Sequence, residues 1–483
     1  MKSSSNIFFN NSYATDLKDI CEKCMPTGFS NSEILLKNYD LAEEIGIDRL
    51  FLDSQECLKI FSGCSISDSS IPIAQAYSGH QYGNFNPQMG DGRAILLGEI
   101  NQKDIQLKGS GLTPFSKRGD GKSALGPVLR EYVVSEYMNS INIPSTRALL
   151  AIKSNENVFR DEEIPGGILT RVADSHIRIG TFEYVSCFKP DSLKLLANYV
   201  IKRHYPELIE VKNKYLSLFA AICDRQSLLI SKWMGVGFVH GVMNTDNMTI
   251  SGETIDFGPC AFMDHYNPDI YYSSIDKHGR YSYKNQPAIM IWNLSKLAEA
   301  LIPLIDENEK KAAKQLSDVL NLTMPAYQEY FYKEMGRKFG IDFIDIDVSN
   351  YIDRYLKILK KNNIDFTLSF RDFSKLLSNE KIEQTVFKKI KDFDSLRTEF
   401  LNLSEVKRIG LFKIAKKMNS YNPCYIPRNH IIEDSLSKAI KGDISEILKI
   451  IDCFKNPYEE QNISSKYLFP SDKNERYVTF CGT

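Results

Sequence analysis

Hydrophobic and polar positions change their period several times along the chain. Up to about residue 75, short stretches such as SEILLKNYDLAEEIG read as helical and are separated by polar turns. Glycine then becomes dense, with ten between Gly79 and Gly126 set around two strand-like runs, Arg93 to Ile100 and Asp104 to Leu107. Asn101-Gln102-Lys103 supplies a polar turn between them, so a glycine-rich loop feeding a β-hairpin is expected. Gly126-Pro127 opens a helix with Val128, Leu129, Tyr132, Val133 and Tyr137 on one buried side, ending before Pro144. Residues 167 to 188 and 236 to 258 read as strand-rich, the second with a tight turn at Ser251-Gly252. After Pro287 the spacing of Ile291, Leu294, Leu297, Ala298 and Leu301 is helical, and the rest to about residue 465 is Lys/Leu/Ile-rich and mostly helical before a polar tail.

Composition narrows the class. A length of 483 residues corresponds to roughly three domains of about 150 residues each. Hydrophobic residues at 43% and charged residues at 25% fit a folded globular protein. A formal charge of -1 supplies no global field for a nucleic-acid backbone or an anionic membrane, so neither is expected as a partner and any phosphate site must be local. Ten scattered cysteines do not make a disulfide scaffold, and the start MKSSSNIFFNNSYATDLKD lacks the apolar segment of a signal peptide; a cytoplasmic protein is expected.

Several residues fall in the order of a protein kinase. Gly121-Lys122-Ser123 imitates a P-loop end, but Ser116 stands where that motif needs glycine. A better match begins with the glycine-rich GHQYGNFNPQMGDGR, followed by Lys108 on a strand and Glu131 on a helix, the order in which kinases hold phosphates with a lysine and set that lysine with a glutamate. Asn247 and, nine residues on, Asp256-Phe257-Gly258 match the two oxygen ligands of a kinase metal site. His240 aligns with the catalytic-loop histidine, but Val242 occupies the place of the catalytic aspartate and accepts no proton. Asp246 is the nearest carboxylate, offering a base from a different position or assistance to the metal.

The segments YSGHQYGNFNPQMGDGRAILLGE, IQLKGSGLTPFSKRGDGKSALGPVLREY, LTRVADSHIRIGTFE, HGVMNTDNM, TIDFGP and GRYSYKNQPAIMIWNL together closely resemble the selenoprotein O family, protein adenylyltransferases with a pseudokinase fold. The resemblance implies an α+β, protein-kinase-like bilobal fold with a small β-rich lobe, a larger helical lobe and a helical C-terminal extension. The expected divisions are an N-terminal segment 1–75, a nucleotide lobe 76–145, a large lobe 146–330 and an extension 331–483. It implies AMP transfer from ATP to Ser, Thr or Tyr hydroxyls of proteins with Mg²⁺ or Mn²⁺, through ATP bound in a flipped pose. Gly90, Gly92, Arg93, Lys108, Asp120, Gly121, Arg171, Arg178 and Asp256 would meet the nucleotide. Glu131 would position Lys108, Asn247 and Asp256 would hold the metal, and Asp246 would be the base. The family's redox-active residue near the C-terminus corresponds to Cys481. Its second cysteine corresponds to Tyr272 here, which leaves Cys260 as a substitute partner. Rival readings are UMP transfer from UTP, an ordinary kinase-type phosphotransferase, and a non-catalytic nucleotide-binding redox scaffold.

Overall fold

The computed structural model describes residues 7–160, 162–378, 381–388, 390–463, 465–471 and 477–479. Ten strands form in the first part of the chain: β1 (Cys21–Lys23), β2 (Ser32–Lys37), β3 (Ile73–Gln75), β4 (Gly79–Gln81), β5 (Asn84–Asn86), β6 (Ala94–Ile100), β7 (Lys103–Lys108), β8 (Ser123–Ala124), β9 (Arg147–Phe159) and β10 (Glu163–Ala173). Eight of them make one antiparallel sheet in the order β1-β3-β6-β7-β10-β9-β2, with β8 against β10, while β4 and β5 pair separately. The sheet therefore draws strands from both sides of residues 76–145.

The expected β6–β7 hairpin is present. Asn101 and Gln102 both take positive φ, 47° and 64°, the backbone of a two-residue turn whose twist matches its strands. SEILLK, in contrast, is a strand and not a helix. Its apolar Ile34 and Leu36 pair with β9, and the helix Tyr39–Glu44 starts only where the Asn38 side chain accepts a hydrogen bond from Leu41 N.

Residues 167 to 188 divide, because β10 ends at Ala173 and Ile179–Phe188 is a helix that turns Ile179, Phe182 and Val185 into the core. Little of 236 to 258 is regular strand beyond β11 (Phe238–Val239), which pairs with β12 (Ala261–Phe262). The turn at Ser251-Gly252 forms, with Gly252 at φ 81°, but its flanks make single bridges, Ser145 with Thr254 and Arg178 with Thr249. This segment is buried between helices, and side chains such as Gln226, donating to Thr249 O at 2.6 Å, satisfy a backbone that has no neighbouring strand.

Helix Leu125–Ser140 lies between the sheet and the helices Asn429–Ile440 and Ser445–Lys455, so its apolar residues are buried on more than one side. The larger lobe packs Lys214–Val236, stopped by Gly237 at φ 72°, against Gln286–Ile305 and Glu309–Lys338. The segment Tyr283–Ile305 is long and apolar enough by composition to cross a membrane, yet Met290, Asn293, Leu294, Leu297 and Leu301 are buried inside this lobe. The C-terminal extension is helical around an aromatic core that includes Phe339, Tyr351, Tyr355, Phe370, Phe373 and Phe400. The whole is a kinase-like α+β fold.

Candidate active site

A cavity of about 590 Å³ separates the sheet from the larger lobe, walled above by Gly90, Gly92, Arg93, Lys108 and Arg171 and below by Val242, Asp246, Asn247 and Asp256. Strand geometry gathers the upper charges. Gln106 and Lys108 are two residues apart and share a face of β7, and Arg171 on β10 is registered opposite Gln106. Arg171, 1% exposed at its side chain, donates to Gln106 Oε1 at 3.3 Å, to Glu131 Oε1 at 2.8 Å through Nε, and to Asp256 Oδ1 at 2.7 Å. Lys108 Nζ reaches Glu131 Oε2 at 2.7 Å and Asp256 Oδ1 at 2.9 Å.

Arg178, which precedes helix Ile179–Phe188, completes the cluster from the other side. It donates to Asp91 Oδ1 at 3.2 Å, lies 3.8 Å from Asp256 Oδ2, and stacks 4.4 Å above the Tyr77 ring. Burial disfavours charge on Asp256, but Lys108, Arg171 and Arg178 outweigh it and hold the carboxyl well below the usual carboxylate range. Glu131 is likewise kept ionised against burial, by Arg171 and Lys108. Asp256 itself has φ 64°, a conformation uncommon for a non-glycine residue.

The lower wall carries a different carboxylate. Asp246, in the turn Thr245–Asn247, is 7% exposed, and its Oδ1 has no hydrogen-bond partner. Burial, with smaller contributions from Asp256 and Glu183, pushes its pKa up to about 7 against the opposing pull of its backbone hydrogen bond and Arg178. Val242 faces the same cavity. His240 is a core residue: it is fully buried, bonded through Nε2 to Ile255 O at 2.8 Å and stacked on Trp233. Asn247 spends its Nδ2 on Val242 O at 2.9 Å. That leaves its Oδ1 as an acceptor beside Asp256 on the same wall, and two such oxygens suit a hard divalent cation.

The remaining sequence candidates divide. At Gly90, φ is 74° and a Cβ would lie 2.3 Å from the Phe115 ring, so glycine is required there by the packing of the 109–121 loop. The same loop holds Gly92 through Ser116 Oγ, which donates to Gly92 O at 2.5 Å. Asp120 and Gly121 stand outside the cavity wall: Asp120 pairs with Arg160 at 2.9 Å, and a Cβ on Gly121 would lie 2.0 Å from Gly111 O. Cys481 lies outside the described residues. Cys260 is fully buried, its Sγ donating to Phe257 O at 3.1 Å, and burial pushes its thiol up to about 11. Tyr272 receives the chain end, its carbonyl accepting from Thr479 N at 2.8 Å.

Sequence reading missed Asp91, Tyr77 and Asn244. Asp91 was within sight, in the middle of the GDGR motif. Its carboxylate accepts from Gln75 N and from Gln106 Nε2, each at 3.2 Å, besides Arg178.

A family described as Protein adenylyltransferase SelO matches residues 3–455. Proteins named "Protein nucleotidyltransferase YdiU" are similar over nearly the whole chain. Those from Rhizobium etli (strain ATCC 51251) and Agrobacterium fabrum are each 44% identical over 98% of this chain and over 97% and 99% of their own lengths. That from Bacillus cereus is 42% identical over 98% of each chain. A match of this extent, on a kinase-like fold whose cavity gathers three cations around an aspartate, makes the chain a member of the SelO family of protein nucleotidyltransferases.

Proposed function

We propose that this enzyme transfers AMP from ATP to Ser, Thr or Tyr hydroxyls of proteins, releases pyrophosphate, and requires Mg²⁺ or Mn²⁺. The observation that carries the reading is one cavity in which Lys108, Arg171 and Arg178 converge on Asp256 while Asp246 lines the opposite wall and Val242 fills the kinase base position.

Asp246 takes the proton of the acceptor hydroxyl as its oxygen bonds to the α-phosphorus. The bond from that phosphorus to the bridging oxygen breaks, and pyrophosphate leaves with the electron pair. A carboxyl poised near neutrality suits general-base work. Lys108, Arg171 and Arg178 meet the charge growing on pyrophosphate, where the arginine forks offer paired donors. Glu131 positions Lys108, and Asp91 positions Arg178. Gly90, Gly92 and Arg93 line the nucleotide's side of the cavity, and Asp120 and Gly121 serve it through the 109–121 loop that bonds Gly92. Asn247 and Asp256 would hold the divalent ion, which when bound supplies positive charge to the phosphate oxygens. The reaction belongs in the cytoplasm, in keeping with nine free cysteines among the described residues.

ATP labelled separately on its α- and γ-phosphates tests the reading. Protein-bound label from α alone is expected. Label from γ alone supports a kinase instead, and no label with ATP still bound supports a nucleotide-binding scaffold. Competition by UTP measures whether the base is read.

A further inference from the structure

The hairpin β4–β5 lies over the turn that carries Asp246, and three consecutive turn residues each meet it. Tyr82 N donates to Asn244 Oδ1 at 3.2 Å, His80 N donates to Thr245 Oγ1 at 2.7 Å, and Gly79 lies against Asp246 itself. His80 makes its contact from the strand, and Tyr82 makes its own from the tight turn that follows, where its φ is 51°. At Gly79 the contact leaves no space: a Cβ would lie 2.4 Å from Asp246 Oδ1, the carboxylate oxygen that has no hydrogen-bond partner.

The hairpin is fixed from behind. His80 Nδ1 lies 2.5 Å from Glu183 Oε1 on helix Ile179–Phe188, and the ring is flanked by Phe85 at 5.0 Å and by Trp292 of helix Gln286–Ile305 at 5.2 Å. Ser78 N donates to Gly180 O at 3.0 Å, and a Cβ on Gly180 would lie 2.1 Å from Ser78 O, so β4 sits as close to that helix as backbone allows.

We infer that the Gly79–Gln81 strand is a positioning element for the proposed base, with Gly79 leaving the room that the Asp246 carboxylate needs to hold its orientation toward the cavity and His80, latched to Glu183, holding the turn in register. The inference rests on the reading of Asp246 as the proton acceptor. A side chain at residue 79 forces the carboxylate aside while the phosphate-binding cluster around Lys108, on other elements, stays intact. Turnover and nucleotide affinity should therefore separate.

The test measures transfer of α-label from ATP, together with the Kd for ATP, in the full-length enzyme and its variants. Gly79→Ala is expected to lower kcat about 100-fold, the scale of a reacting group misplaced by about 1 Å, with Kd within about threefold of the parent. His80→Ala is expected to lower kcat about tenfold, and His80→Asn, whose amide reproduces the Nδ1 contact, to restore most of it. Gly79→Ala with kcat unchanged, or with affinity lost in step with kcat, overturns the inference. If Gly79→Ala does not fold, the His80 pair decides: equal kcat in His80→Ala and the parent overturns it. Transfer retained by Asp246→Ala is a different failure, since it removes the base reading itself.

Discussion

Arg171 and Asp256 lie 2.7 Å apart, one on strand β10 and the other on the segment after the Asp246 turn, so their ion pair ties the sheet to the larger lobe across the nucleotide cavity. Arg171 also holds Glu131 and is 1% exposed, so deleting its charge leaves the buried Glu131 with Lys108 alone and Asp256 with Lys108 and the more distant Arg178. Arg171→Met is expected to cost about 3–5 kcal/mol, the range for breaking a buried pair, and to abolish transfer. Arg171→Lys keeps the charge but loses the fork, so the fold should survive with weaker catalysis. Urea denaturation and α-label transfer, measured on both variants, check this order.

Asp256 gathers Lys108, Arg171 and Arg178, and all three are candidates for phosphate binding. Asp256→Asn frees them from a competing carboxylate and removes a proposed metal ligand at the same time. Metal-free ATP should therefore bind at least as tightly to the variant as to the parent, while metal-dependent transfer is lost. Calorimetric titration of ATP without metal, beside the transfer assay, reads both arms. Weaker metal-free binding, or retained transfer, contradicts the assignment.

The parts of this site that sequence revealed are those written in local pattern. The β6–β7 hairpin came from a polar turn between two apolar runs, and Lys108, Glu131, Asn247 and Asp256 came from their order on recognisable elements. What stayed hidden depends on distance. Asp91 finds Arg178 across 87 residues, and Gly79 meets Asp246 only once two lobes have closed on each other. Helix Ile179–Phe188 buries Ile179, Phe182 and Val185 at a helical spacing, but over only ten residues and within the same 167–188 window as the strand residues that precede it, that period is hard to separate from strand. Asp120 shares a glycine-rich stretch with residues of the cavity, but its carboxylate pairs with Arg160 outside the cavity wall, and no local pattern encodes that partner.

Lys338 gives the fold a pH dependence of known sign. It is 3% exposed at the end of helix Glu309–Lys338, its ammonium 4.1 Å from the centre of the Phe370 ring, and burial pushes its pKa down to about 7, against the pull of Glu334. An unfolded lysine titrates near about 10.4, so between these values the unfolded chain binds the extra proton and stability rises with pH. The slope contributed is at most about 1.4 kcal/mol per pH unit, flattening below about pH 7 and above about pH 10. Lys338→Met should remove that contribution and be the more stable protein at pH 7. Denaturant midpoints at pH 7, 8 and 9 should converge for the two proteins as pH rises.

Arg130 precedes Glu131 on helix Leu125–Ser140 and joins the end of the chain to the segment after Asp256. Its guanidinium donates to Cys260 O at 2.5 Å, to Glu433 Oε1 at 2.9 Å and to Tyr477 OH at 3.0 Å, and Thr479 Oγ1 donates to the neighbouring Pro259 O at 2.7 Å. Arg130→Met leaves a buried carbonyl without its donor and should cost about 1–3 kcal/mol, while Thr479→Val should cost about 1 kcal/mol. Both substitutions loosen the same pair of residues, Pro259 and Cys260, so the loss in the double variant should fall short of the sum by at least about 0.5 kcal/mol. Strict additivity in urea denaturation would separate the two contacts and show that the chain end does not act with Arg130 on this segment.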